Sequence, residues 1–100
     1  MADKNGYNPS IISNEERCLI CGTTENLVRH EILFGPNRQK SKADGCWCLL
    51  CATHHNMSQY SPHHNRAVDL QLKRACQRKW MKVYGKTVDD FIQRYGRSYL

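Results

Sequence analysis

Cys46-Trp47-Cys48-Leu49-Leu50-Cys51-Ala52-Thr53-His54-His55-Asn56 holds three of the six cysteines and two of the five histidines of this 100-residue chain. Upstream stands a second short motif, Cys18-Leu19-Ile20-Cys21. A Cys-x-x-Cys pair followed about thirty residues later by Cys-x-x-His has the spacing of one tetrahedral zinc site. Cys18, Cys21, Cys51 and His54 are therefore expected to bind one Zn²⁺. Cys46 or Cys48 could stand in for Cys51. In a strand those two share one face while Cys51 lies at the exit, and Cys-x-x-His makes a compact chelate at a helix entry. Four protein ligands leave the ion no open position, so its expected role is structural.

The totals support a metal over disulfides. One hundred residues make one domain with a small core, a size that often needs a staple. The N-terminus has no apolar run of signal-peptide type, and no stretch approaches a membrane span. The expected setting is cytoplasmic, a reducing compartment where Cys/His clusters read as metal sites. Charge is unevenly placed. Residues 1–60 carry six Lys/Arg and six Asp/Glu, whereas residues 61–100 carry nine against three, so the whole net charge of +6 is C-terminal. That asymmetry suggests a polyanionic partner, DNA above all, and no membrane.

Residues 1–14 are polar and read as a flexible arm, leaving 15–100 as one domain. Leu27 to Phe34 is the best strand, broken by Gly35-Pro36-Asn37. Residues 37–45 read as a polar basic loop, and Trp47 to Leu50 as a second, antiparallel strand. Thr53 is placed to cap a helix starting near His54. Apolar residues at three- and four-residue steps predict a helix over 66–84, with Asn65 before it and Gly85 after it. Thr87 and early acids open a second helix over 88–95, striped by Val88, Phe91, Ile92 and Tyr95. The tail, 97–100, is expected to pack back through Tyr99 and Leu100. Cys76 falls on the apolar stripe and reads as a core thiol. The fold class expected is α+β, a zinc-stapled hairpin followed by two C-terminal helices.

The zinc set leaves histidines over. His30 lies in the first strand, His55 follows a zinc ligand, and His63 lies beyond it. If the strands and turn pack around zinc, His30 and His55 face each other across the hairpin. Imidazoles so gathered can hold a divalent ion or carry a proton.

The order Cys18-x-x-Cys21, Arg29-His30-Glu31-Ile32, Leu50-Cys51-x-x-His54-His55 resembles HNH nucleases of the His-Me finger (ββα-metal) superfamily. It is similar above all to small phage-encoded, recombination-associated HNH proteins, through Phe34-Gly35-Pro36-Asn37-Arg38, Pro62-His63-His64-Asn65 and the closing run from Phe91 to Leu100. The resemblance spans roughly residues 18–100. It implies a treble-clef-like ββα finger around Mg²⁺ or another divalent cation. His55 becomes a ligand of that ion, His30 either the general base or a further ligand, and His63 a candidate third ligand. Aligning on Ile32 puts Glu31 at the base position. Aligning on the single histidine puts His30 there, with Arg29 where a ligand would stand. The asparagine that orients the base in that superfamily falls near Gly45 or Cys46 and has no counterpart there.

Two functions follow from this reading. One is a metal-dependent DNA endonuclease or nickase, with Arg38, Lys40, Lys42, Lys73, Arg74 and Arg78 on the phosphate backbone. It would work in the host cytoplasm if phage-encoded. The other is a catalytically silent zinc module that binds DNA or inhibits a host or phage protein. Oligomeric state is left open.

Overall fold

The computed structural model describes residues 3–57, 59 and 61–100. Met1 and Ala2, read above as the start of the arm, lie outside the described residues. Strand β1, Leu27–Glu31, pairs antiparallel with β2, Trp47–Cys51, in the register Leu27↔Cys51 through Glu31↔Trp47. Alternation gives this two-stranded sheet two faces. His30, Cys48 and Leu50 turn inward and are buried, while Arg29, Glu31, Trp47 and Leu49 lie on the outer face. The chain is thus a small α+β protein, a hairpin with helices.

β1 is shorter than the stretch Leu27 to Phe34 suggests. Ile32 still donates its N–H to Cys46 O at 3.0 Å, but the backbone then turns so that Ile32 and Leu33 are both buried, which an alternating strand cannot do. Gly35 (φ 74°) and Pro36 open a 3₁₀ turn, Gly35–Asn37, that runs into helix α1, Arg38–Ala43. The expected polar loop over 37–45 is therefore corrected to a short helix. Arg, Gln, Lys and Ala are good helix formers. Ser41 anchors the segment, donating to Cys46 O at 2.5 Å and accepting from Leu33 N. At Gly45 (φ 73°) a Cβ would stand 2.2 Å from Pro9 O, so only glycine fits.

The helix expected near His54 is a five-residue π-helix, Thr53–Met57, that includes Thr53 instead of being capped by it. Helices α2, Arg66–Tyr84, and α3, Val88–Tyr95, have the bounds their end signals indicate. Asn65 Oδ1 accepts from Ala67 N and Val68 N; Thr87 and Asp90 cap each other reciprocally; Gly85 and Gly96 take positive φ. Their stripes are only half used. Cys76, Trp80, Phe91 and Tyr95 join Ile32, Leu33, Leu50 and Cys46 in the core, while Val83, Val88 and Ile92 stay exposed. Gln77, by contrast, is fully buried, donating to Ser98 Oγ at 2.9 Å and accepting from Tyr99 N at 2.7 Å. These bonds hold the tail against α2, with Tyr99 half-buried and Leu100 exposed. Asp44, capping α1, takes Arg94 through two nitrogens, Trp80 Nε1 at 2.9 Å and Tyr95 OH at 2.6 Å, locking hairpin to helices. Phe91 lies against Trp80 and Tyr95. Replacing it with alanine is expected to cost about 3–5 kcal/mol, read as a lower midpoint in urea unfolding.

The N-terminal segment is not loose over residues 3–14. Ser10 Oγ donates to Trp47 O, Ile11 N to Gly45 O, and Trp47 Nε1 to Asn8 O; Tyr7 packs edge-on against Trp47 at 5.5 Å. β2 would otherwise present an open edge and its outer face a bare indole, and the arm covers both. Among the described residues, no helix is long and apolar enough to cross a membrane.

Candidate metal centre

The knuckle is shaped by its backbone. Gly22 N returns to Cys18 O at 2.8 Å, Gly22 takes φ 78°, and Cys18 N donates to Thr23 O. Leu19 N then docks the turn on β2 through Leu49 O at 2.9 Å. Cys51 ends β2, and His54 follows one turn later. Cys18, Cys21, Cys51 and His54 so converge that their ligand atoms all lie within 4.8 Å of one another. Cys21 and Cys51 sulfurs are 3.8 Å apart, and His54 Nδ1 lies 3.2 Å from Cys51 Sγ and 3.9 Å from Cys18 Sγ. Four ligands at zinc–sulfur and zinc–nitrogen bond lengths stand roughly 3.4–3.8 Å apart at tetrahedral corners. A disulfide needs about 2.05 Å, and all six cysteines are free. The group is positioned to bind one metal ion, and three thiols with one imidazole are compatible with zinc. Burial raises the Cys18 thiol, but backbone donors at Cys51, Cys21 and Ile20 outweigh it and bring it down to about 6, favouring the thiolate a metal needs.

The alternatives to Cys51 lie elsewhere. Cys46 is in the core, 3.7 Å from Tyr95 OH. Cys48 points inward, its thiol pushed up to about 12 by burial and by Cys18. Cys76 is fully buried on α2. Metal analysis of Cys46→Ser is expected to return one zinc per chain, whereas Cys51→Ser loses it. The reverse pattern would move the ligand set upstream.

A second group gathers His30, His55 and His63, again with ligand atoms within 4.8 Å. Ring centroids are 5.4 Å apart for His30 and His55, 5.2 Å for His30 and His63, and 4.7 Å for His55 and His63. His55 Nε2 and His63 Nε2 are 3.2 Å apart. His54 and His55 are neighbours in sequence yet serve different groups, since successive side chains of a helical turn point in different directions. The group is graded from floor to rim: His30 is 1% exposed, His55 intermediate, His63 exposed. His30 Nε2 is buried with no hydrogen-bond partner among the described residues. An unpaired buried nitrogen is costly, and a ligand would satisfy it. Burial first, then His55 and His63, push His30 down to about 3; burial and His63 also lower His55. These two rings are held neutral, the form that ligates metal. Phe34 walls the group, 5.5 Å from His63 and 6.0 Å from His30, with Lys73 Nζ 4.2 Å above its ring.

Glu31 is not brought to this group. It lies on the outer face, where Oε1 accepts from Tyr7 OH at 2.6 Å and Arg38 Nε at 2.9 Å, and these bonds lower its pKa against burial. The reading of Glu31 as a base is corrected accordingly. The expected row of DNA-contacting cations is also mostly occupied within the fold. Arg38 pairs with Glu31, Lys40 donates to Arg94 O, Lys73 pairs with Asp69 at 2.7 Å, and Arg74 donates to Tyr99 O. Lys42 is nearly buried over Tyr7. Arg78, on α2, is exposed. Phe34 as a wall, Lys73 above it and Asp44 as a hub were not foreseen, and no local pattern marks them.

No family model, no curated protein and no solved structure matches the chain.

Proposed function

We propose that the chain is a metal-dependent phosphodiester hydrolase acting on DNA, with His30, His55 and His63 as its ion-holding group. The observation that carries this reading is the buried His30 Nε2, without a hydrogen-bond partner among the described residues, in a ring grouped with two further imidazoles whose ligand atoms lie within 4.8 Å. The resemblance to the HNH, ββα-metal architecture supports it, as does the separate Cys₃His group, compatible with zinc. A divalent ion held by the three histidines would supply the positive charge that polarises a phosphate and acidifies water.

The chain's own residues do the rest. His30 forms the floor, and its neutral ring, a poor proton acceptor near pKa 3, suits the ligand role over the base. His55 and His63 form the rim, where a substrate can approach. Phe34 lines the group on one side. No carboxylate belongs to the group, and an all-imidazole donor set suits zinc, iron or nickel better than Mg²⁺. The test is nicking of supercoiled DNA with Mn²⁺, Zn²⁺, Ni²⁺ and Mg²⁺ supplied in turn. Cleavage with a transition metal and little with Mg²⁺ is expected. A second reading is favoured by Glu31 facing away: a metal-binding module that holds DNA or a protein without cutting. DNA bound but uncut with every metal would select it.

A further inference from the structure

On the far side of β1 from His30 lies a cavity of about 500 Å³ lined by Asn5, Tyr7, Val28, Arg29, Arg38 and Lys42. Its basic residues come from β1 and α1, brought together because the arm folds Tyr7 between them. Arg29 stacks its guanidinium over Tyr7 at 4.3 Å, and Lys42 Nζ stands 4.6 Å from the same ring on the way in. Arg29 uses Nη1 on Asp3, and Arg38 uses Nε on Glu31. Each fork keeps nitrogens that these pairs do not use. Lys42 differs from both. It is 9% exposed, and its ammonium has no carboxylate within ion-pair distance among the described residues. The cation–π contact with Tyr7 offsets part of the desolvation of that charge, and Lys42 lines the cavity without a paired carboxylate among the described residues.

We infer that this cavity is an oxyanion site for a phosphate group, with Lys42, Arg29 and Arg38 as its donors. Three cations around two carboxylates leave a positive charge to be met. A phosphate, tetrahedral and with several acceptor oxygens, can meet two planar forks and an ammonium arriving from different directions; a carboxylate offers only two oxygens in one plane. The phosphate can come free from solution or as part of a nucleic-acid backbone. The site does not require the hydrolytic reading above, since it is defined by binding alone and lies on the other face of the strand from His30.

The test is an ¹⁵N NMR titration of the zinc-loaded protein at constant ionic strength, with chloride as the balancing ion. One arm uses inorganic phosphate, the other a hexathymidylate. Saturable shifts at Tyr7, Arg29, Arg38 and Lys42 are expected. Lys42→Met keeps the stem over Tyr7 but removes the charge, and is expected to weaken binding at least about tenfold, the worth of a hydrogen bond between charged groups. Should that variant fail to fold, Arg29→Gln, at a more exposed position, carries the same expectation. Loss of affinity in the phosphate arm alone marks a free-phosphate site, and loss in both arms marks a backbone site; either supports the inference. Shifts centred elsewhere, or equal affinity in the folded variants, would overturn it. Because neither arm needs cleavage, an inactive protein leaves this result intact.

Discussion

A strong chelator is expected to unfold this protein, and added zinc to refold it. Helices α2 and α3 cap a core whose largest fully buried side chains are Phe91, Ile32, Leu33 and Leu50. The knuckle from Cys18 to Cys21 has little else to hold it: Leu19, Ile20 and Cys21 are exposed, and one backbone bond docks it on β2. The Cys₃His group ties that knuckle to the end of β2 and to the turn carrying His54 and His55. Structural zinc contributes on the order of 10 kcal/mol in small metallodomains. A domain this size has a total stability of about 5–15 kcal/mol. Loss of the ion should therefore remove most or all of it, and Cys51→Ser should act likewise. Circular dichroism melts with and without chelator make the comparison. An unchanged melt would mean that the four ligands are spectators to folding.

On the proposed hydrolytic reading, replacing His55 with alanine should abolish metal-dependent DNA cleavage while leaving the fold and metal binding by the Cys₃His group in place. The loss expected is at least about a hundredfold in rate, the scale of removing one group that stabilises developing charge. His55 is only partly buried and is no member of the Cys₃His group, so little stability rests on it. Its neighbour provides the control. His54→Ala should lose zinc and structure together, although the two residues are adjacent. Cleavage that survives His55→Ala would place the chemistry elsewhere. Equal losses of fold in both variants would show that the two groups are not separate.

The helices were legible in the sequence because their signals are local. Asn65, Gly85, Thr87 with Asp90, and Gly96 each act within a few residues of the bond they make. The Cys₃His group was legible through spacing. The direction of Glu31 follows from the strand's period of two, in which neighbours such as His30 and Glu31 face opposite sides. Other features depend on distant contacts and left no local trace. Residues 3–14 look like any polar terminus until Trp47 and the β2 edge give them partners. Lys40 and Arg74 look like free cations until Arg94 O and Tyr99 O meet them. Composition records that residues 61–100 are basic, but not that Lys73, Arg74 and Arg94 are engaged within the fold.

Zinc K-edge absorption of the protein loaded with one equivalent of metal tests the central claim most directly. Three sulfurs at about 2.3 Å and one nitrogen at about 2.0–2.1 Å are expected, from Cys18, Cys21, Cys51 and His54. A first shell dominated by nitrogen, with two sulfurs or fewer, would contradict it.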